Sequence, residues 1–144
     1  MNKINFTLGK PINGWLNVRF KSGEVELKFE ASNIPENPIL ELYQSLIFSM
    51  KGLESKVYWN LEPENYCFKF SPKEQSFNLT ISENKKNIFS QDGSFESIIL
   101  PFYRALKKFN STEFKNENWT KLENGKIKQL TKLVAEKKTA HNNA

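Results

Sequence analysis

Between Leu16 and Phe29 the chain alternates apolar and polar residues twice, on either side of a glycine. Leu16, Val18 and Phe20 alternate with Asn17 and Arg19, and Val25, Leu27 and Phe29 alternate with Glu26, Lys28 and Glu30. In an extended strand successive side chains point to opposite faces, so each run is a strand with one apolar and one polar face. Ser22-Gly23 reads as a two-residue hairpin turn, because glycine tolerates a positive φ. With Lys21 opposite Glu24, Phe20 faces Val25, Val18 faces Leu27 and Leu16 faces Phe29. On the polar face Arg19 then opposes Glu26, a favourable cross-strand pair. A one-residue slip would mix the two faces.

A second group of strands repeats the pattern. Val57, Trp59 and Leu61 alternate with Tyr58, Asn60 and Glu62. After a turn at Pro63-Glu64, Tyr66, Phe68 and Phe70 return opposite Leu61, Trp59 and Val57. Phe77, Leu79 and Ile81 form a further strand, and Asn84-Lys85 turns into a weaker one near Ile88-Phe89. Ile4, Phe6 and Leu8 form a first strand. Two helices cover the shared apolar face. One starts at Asn37-Pro38, a good cap followed by proline at the first helical position, and ends at Gly52. The other starts near Ser94 with an apolar stripe of Phe95, Ile98, Ile99, Phe102, Leu106 and Phe109, and Pro101 kinks or breaks it. A short basic amphipathic helix over 126–137 follows, and 139–144 is expected to fray. The class is α+β: an antiparallel meander sheet, two main helices packed on one face, and a basic C-terminal helical segment.

With 144 residues, 38% apolar and 26% charged, the chain has the size and composition of one globular domain. The division expected is an α+β body over 1–110 and a basic segment over 111–144, which is part of the same domain or a partly frayed tail. No apolar run reaches membrane-spanning length and no signal-like start is visible, so a cytoplasmic protein without membrane insertion is expected. The single cysteine, Cys67, excludes an internal disulfide and a cysteine zinc cluster.

The net charge of +5 is unevenly placed. Ten basic and four acidic residues lie from Arg104 onward, so the rest of the chain is close to neutral. Bidentate recognition of bases leans on arginine, and Arg19 and Arg104 are the only two. Nucleic-acid binding is therefore expected to be weak or absent.

No catalytic residue, metal ligand or cofactor is assigned. Cys67 has no histidine near it in sequence, and the one histidine, His141, lies in the basic C-terminal segment. Glu62 and Glu64 flank a turn, where glutamates are solvated surface. Phe68-Lys69-Phe70 resembles an RNA-stacking interleave, but its period places both rings in the core with Lys69 outside. Trp119 is isolated in a polar stretch and anchors either the tail or a partner. Trp15 and Tyr58 fall on the polar side of their strands. Together with Arg19, Glu26, Glu30, Asn60 and Glu62 they make a candidate partner-binding face, unless the C-terminal segment covers it.

In size, in α+β layout and in the run Gly14-Trp15-Leu16-Asn17-Val18 leading to Asn37-Pro38-Ile39, the chain resembles small immunity proteins of bacterial polymorphic toxin systems. These include the contact-dependent growth inhibition type. The resemblance implies a non-enzymatic protein of the cytoplasm that binds one cognate toxin and blocks it. The alternative is a nucleic-acid-associated protein using the basic C-terminal segment.

Overall fold

A computed structural model describes the backbone of residues 2–142 and the side chains of residues 2–140. Seven strands form one antiparallel sheet in sequential order. They are β1 (Asn5–Leu8), β2 (Trp15–Ser22), β3 (Val25–Ser32), β4 (Ser55–Asn60), β5 (Asn65–Pro72), β6 (Phe77–Glu83) and β7 (Lys86–Gly93). Helix α1 (Pro38–Met50) connects β3 to β4. After β7 a π-helical turn, Phe95–Ile99, leads into α2 (Leu100–Ser111), and α3 (Asn124–Asn142) ends the described chain. The fold is the expected α+β meander.

Both hairpins keep the expected faces but shift their pairing by two residues. In the first, Ser22 pairs with Val25, so the turn is Gly23-Glu24 with Gly23 at φ 60°. Phe20 opposes Leu27 rather than Val25, Val18 opposes Phe29, and Leu16 opposes Ala31. Arg19 opposes Lys28, not Glu26; Glu26 faces Lys21 and bonds Lys28 at 3.2 Å along its own strand. A glycine at the first central position suits the mirror-image turn that matches strand twist, which selects this register over the other. In the second hairpin Val57 opposes Phe68 and Trp59 opposes Tyr66. Here β4 ends at Asn60, and Leu61–Glu64 form a loop closed by a bond from Leu61 N to Glu64 O at 2.8 Å. Glu62 therefore sits in that loop and not on a strand face. Asn84-Lys85 does form a tight turn, with φ 48° and 74°.

The sheet has a seam. β3 and β4 pair only at Ser32 and Asn60, because β3 runs on past the end of β4. Beyond that pair α1 lies along β4 and satisfies part of its open backbone. Glu41 accepts from Tyr58 N at 2.9 Å, and Ser45 Oγ donates to Lys56 O at 3.3 Å. Buried backbone polar groups need such partners.

The sheet also curls. Phe20 on β2 meets Phe89 on β7 at 5.1 Å between ring centroids, and Ser22 Oγ donates to Gln91 Oε1 at 2.7 Å. The concave side is filled by aromatic rings. Trp59 is fully buried, 5.8 Å from Phe68 and 6.0 Å from Phe6, and Phe102 of α2 reaches in to 4.6 Å from Phe6. Cover therefore comes partly from the far strands of the sheet and partly from the helices.

The helix ends follow the sequence. Asn37 Oδ1 caps α1 by accepting from Ile39 N, and Gly52 at φ 81° follows its last turn. Ser94 forms a reciprocal capping box with Ser97. The change from π to α pairing falls at Leu100, directly before Pro101, which has no N–H to donate. Helix α3 is longer than expected: it spans Asn124–Asn142, so residues 139–142 are helical rather than frayed. Residues 143–144 and the His141 side chain lie outside the described ones. Leu130 and Val134 are buried, Tyr43 of α1 donates to Gln129 at 3.0 Å, and the hydroxyls of Tyr103 in α2 and Thr131 lie 3.0 Å apart. Helix α3 thus packs on the other helices and leaves the polar sheet face uncovered.

Candidate partner-binding face

The convex face of the sheet carries the polar positions of the strands. Trp15 opens β2, pairs with Ser32, and through it lines up with Asn60. Two strand spacings put the backbones of Trp15 and Asn60 about 10 Å apart. Tyr58 follows on the same face of β4, 49% exposed, while its neighbour Trp59 is fully buried. Glu30 sits diagonally from Trp15, opposite Asn17. These four residues form one end of the face, with Glu62 in the adjoining loop. Arg19 and Glu26 are not part of that cluster. Arg19 lies four residues along β2 from Trp15, about 13 Å, and Glu26 lies farther still, beside the Gly23 turn.

The structure adds two residues that sequence reasoning missed. Ile12 and Trp15 exchange backbone hydrogen bonds of 2.9 Å in both directions around Asn13-Gly14. Both turn residues have positive φ, 51° and 81°, the geometry that asparagine followed by glycine adopts most readily. That turn leaves Ile12 65% exposed beside Trp15, which is 37% exposed. Ile34, 63% exposed, joins them from the loop after β3, where Asn33 N donates to Gly14 O at 3.1 Å. Asn60 Nδ2 fixes this loop by donating to Ile34 O at 2.7 Å. The Asn13-Gly14 dipeptide between apolar residues was the available signal.

The turn is held from outside the sheet. Asn118 accepts from Asn13 N with its side chain at 2.9 Å and from Gly14 N with its backbone oxygen at 2.8 Å. The next residue, Trp119, is 1% exposed and donates to Asn37 Oδ1 at 3.1 Å. Trp119 is thus an internal anchor. Beside the turn a shallow cavity of about 310 Å³ is lined by Lys10, Ile12, Asn13, Trp15, Asn17 and Glu30.

Two titratable groups lie in or under this region. Glu41 fills the seam beside Tyr58, and burial pushes its carboxyl up to about 7, helped by Glu36 and opposed by the bond from Tyr58 N. Cys67 lies opposite Tyr58 on β5 and is 9% exposed. Burial raises its thiol pKa against the pull of Lys56 and the hydroxyls of Tyr58 and Ser82. Among the described residues no three His, Cys, Asp or Glu side chains gather closely enough to hold a metal ion. No described helix is long and apolar enough to cross a membrane.

No protein-family model matches the chain, no curated protein matches it, and no solved structure matches it.

Proposed function

We propose that this chain is a non-enzymatic protein-binding module, an immunity protein that binds and neutralises a cognate bacterial toxin in the cytoplasm. The observation that carries the reading is the apolar end of the convex face, where Ile12, Trp15 and Ile34 stay exposed on backbone pinned by Asn118 and Asn60. Interface hot spots are apolar or aromatic anchors that lose little freedom on binding, ringed by polar groups. Tyr58, Lys10 and Glu30 supply such a ring, with charges of both signs. The toxin is the partner that the likeness in size and layout to immunity proteins implies. The test is co-expression with the product of the gene immediately upstream, the proposed toxin. Cells carrying the chain are expected to survive and cells carrying its Trp15→Ala variant to die, although the variant is expected to melt at the wild-type temperature; death of cells carrying the wild-type chain would overturn the proposal.

A second reading, nucleic-acid association, is favoured by one observation. A groove of about 510 Å³ between β1 and α2 is lined by Lys3, Arg104 and Lys108, although Glu96 also lines it. Lys128, Lys132 and Lys138 are exposed on α3. Gel retention that disappears with moderate salt and ignores sequence marks this as non-specific attraction, whereas selective retention at physiological salt makes it the function.

A further inference from the structure

Most of β3 is an open edge. The two-residue turn makes Ser22–Val25 the closing hydrogen-bonded pair, so Val25, Leu27, Phe29 and Ala31 exchange bonds with β2. The bond from Gly9 N to Asn17 O fixes the same phase, since odd-numbered residues of β2 bond toward β1. The N–H and C=O groups of Glu26, Lys28 and Glu30 therefore point away from β2. β4 has ended before it could reach them, and none of them has a hydrogen-bond partner among the described residues.

Open edges recruit another strand unless they are very short, carry charged side chains or a proline, or are broken by a bulge or an inward-pointing charge. Val25–Ser32 has no proline and keeps an unbroken register, and its outward charges Glu26, Lys28 and Glu30 alternate in sign, so they deter an edge of like order and admit one of complementary order. On the concave side Val25 and Leu27 are only half-buried, as are Tyr66, Ile88 and Phe89 on the far strands. Phe29 reaches Tyr66 at 4.6 Å, so the mouth of the curl closes there and stays apolar and open beside Val25 and Leu27.

We propose that β3 receives an added strand from a partner protein, an extended segment that is apolar at every second position. Its apolar side chains cover the mouth of the curl. Its outward side chains read basic, acidic, basic, to complement Glu26, Lys28 and Glu30. A second copy is a poor occupant, because full overlap of two β3 edges sets Lys28 against Lys28 and Glu26 against Glu30. The exposed Glu26–Lys28 pair is weak and free to exchange partners. This inference deepens the protein-binding reading and rests on it only in taking the ligand to be a polypeptide.

The test uses the full chain and a fluorescent peptide, acetyl-Val-Lys-Val-Glu-Val-Lys-Val-amide, whose charge order is the same in both strand directions. Anisotropy is expected to show saturable binding, and the charge-reversed peptide with Glu-Lys-Glu is expected to bind about ten-fold more weakly. Combining Glu26→Lys, Lys28→Glu and Glu30→Lys is expected to invert that preference. Lys28→Pro, which removes an outward N–H at an edge position, is expected to abolish binding while circular dichroism stays unchanged. If Lys28→Pro unfolds, the charge inversion decides. Absent binding, equal binding of both peptides, a preference that fails to invert, or dimerisation of the free chain would overturn the proposal. None of these results touches the Trp15 and Ile12 anchors, which are tested by their own variants.

Discussion

The indole Nε1 of Trp119 donates to Asn37 Oδ1 at 3.1 Å, and the same oxygen accepts from Ile39 N at 3.0 Å to cap α1. One side-chain oxygen thus joins the start of α1 to the segment after α2, 82 residues away. Because Asn118 holds the Asn13-Gly14 turn, the exposed Ile12 and Trp15 are tied to the core through two consecutive residues.

Asn37→Ala removes a helix cap and leaves the Trp119 N–H without its acceptor. The expected loss of stability is about 2–4 kcal/mol. Asn37→Asp keeps an acceptor in place and costs less. Urea denaturation of both variants measures the difference.

Asn118→Ala separates presentation of the anchors from stability. It removes one exposed side-chain bond to Asn13 N and keeps the backbone bond to Gly14. The expected stability loss is about 1 kcal/mol or less. If the proposed binding function holds, partner affinity is expected to fall by more than that, because the turn loses part of its preorganisation. Comparing urea midpoint and affinity on the same variant checks this.

Glu41 makes stability depend on pH. Its folded value of about 7 lies above the 4.5 of a free glutamate, so the folded chain holds a proton that the unfolded chain has released. That contribution is fully present below about 4.5 and is lost as the pH rises through about 7. Glu41→Gln keeps an oxygen for Tyr58 N and removes the titration. The melting temperature of the wild type is expected to fall between pH 5 and pH 8 relative to the variant. Parallel curves would show that Glu41 is not responsible.

The facing of β4 separates two adjacent residues. Trp59 is fully buried and Tyr58 is 49% exposed. Trp59→Ala is expected to cost about 3–5 kcal/mol and Tyr58→Ala less than about 1 kcal/mol. Chemical denaturation of the pair checks the assignment.

The faces of the strands were legible in the sequence because a buried face enforces period two. The registers were not, because a shift by two residues preserves every face: Phe20 meets Leu27 as comfortably as Val25. Turn geometry made the choice, through the positive φ of Gly23 and the four-residue loop Leu61–Glu64. The helix caps at Asn37 and Ser94 were legible because they depend on residues a few positions away. The role of Trp119 was not, since its partners lie far along the chain and nothing in the flanking polar residues names them. The split of the candidate face has the same origin in part. Arg19 lies four residues from Trp15 on the same strand, a separation the sequence already contains, whereas the single β3–β4 pair that brings Asn60 and Tyr58 beside Trp15 was not legible.

The most direct test of the proposed protein-binding function is the affinity of the wild type, Trp15→Ala and Ile12→Ala for the product of the gene immediately upstream, measured by calorimetry beside their melting temperatures. Each variant is expected to lose about 2 kcal/mol or more of binding, roughly thirty-fold, with an unchanged melting temperature. Wild-type affinity in both variants would contradict it.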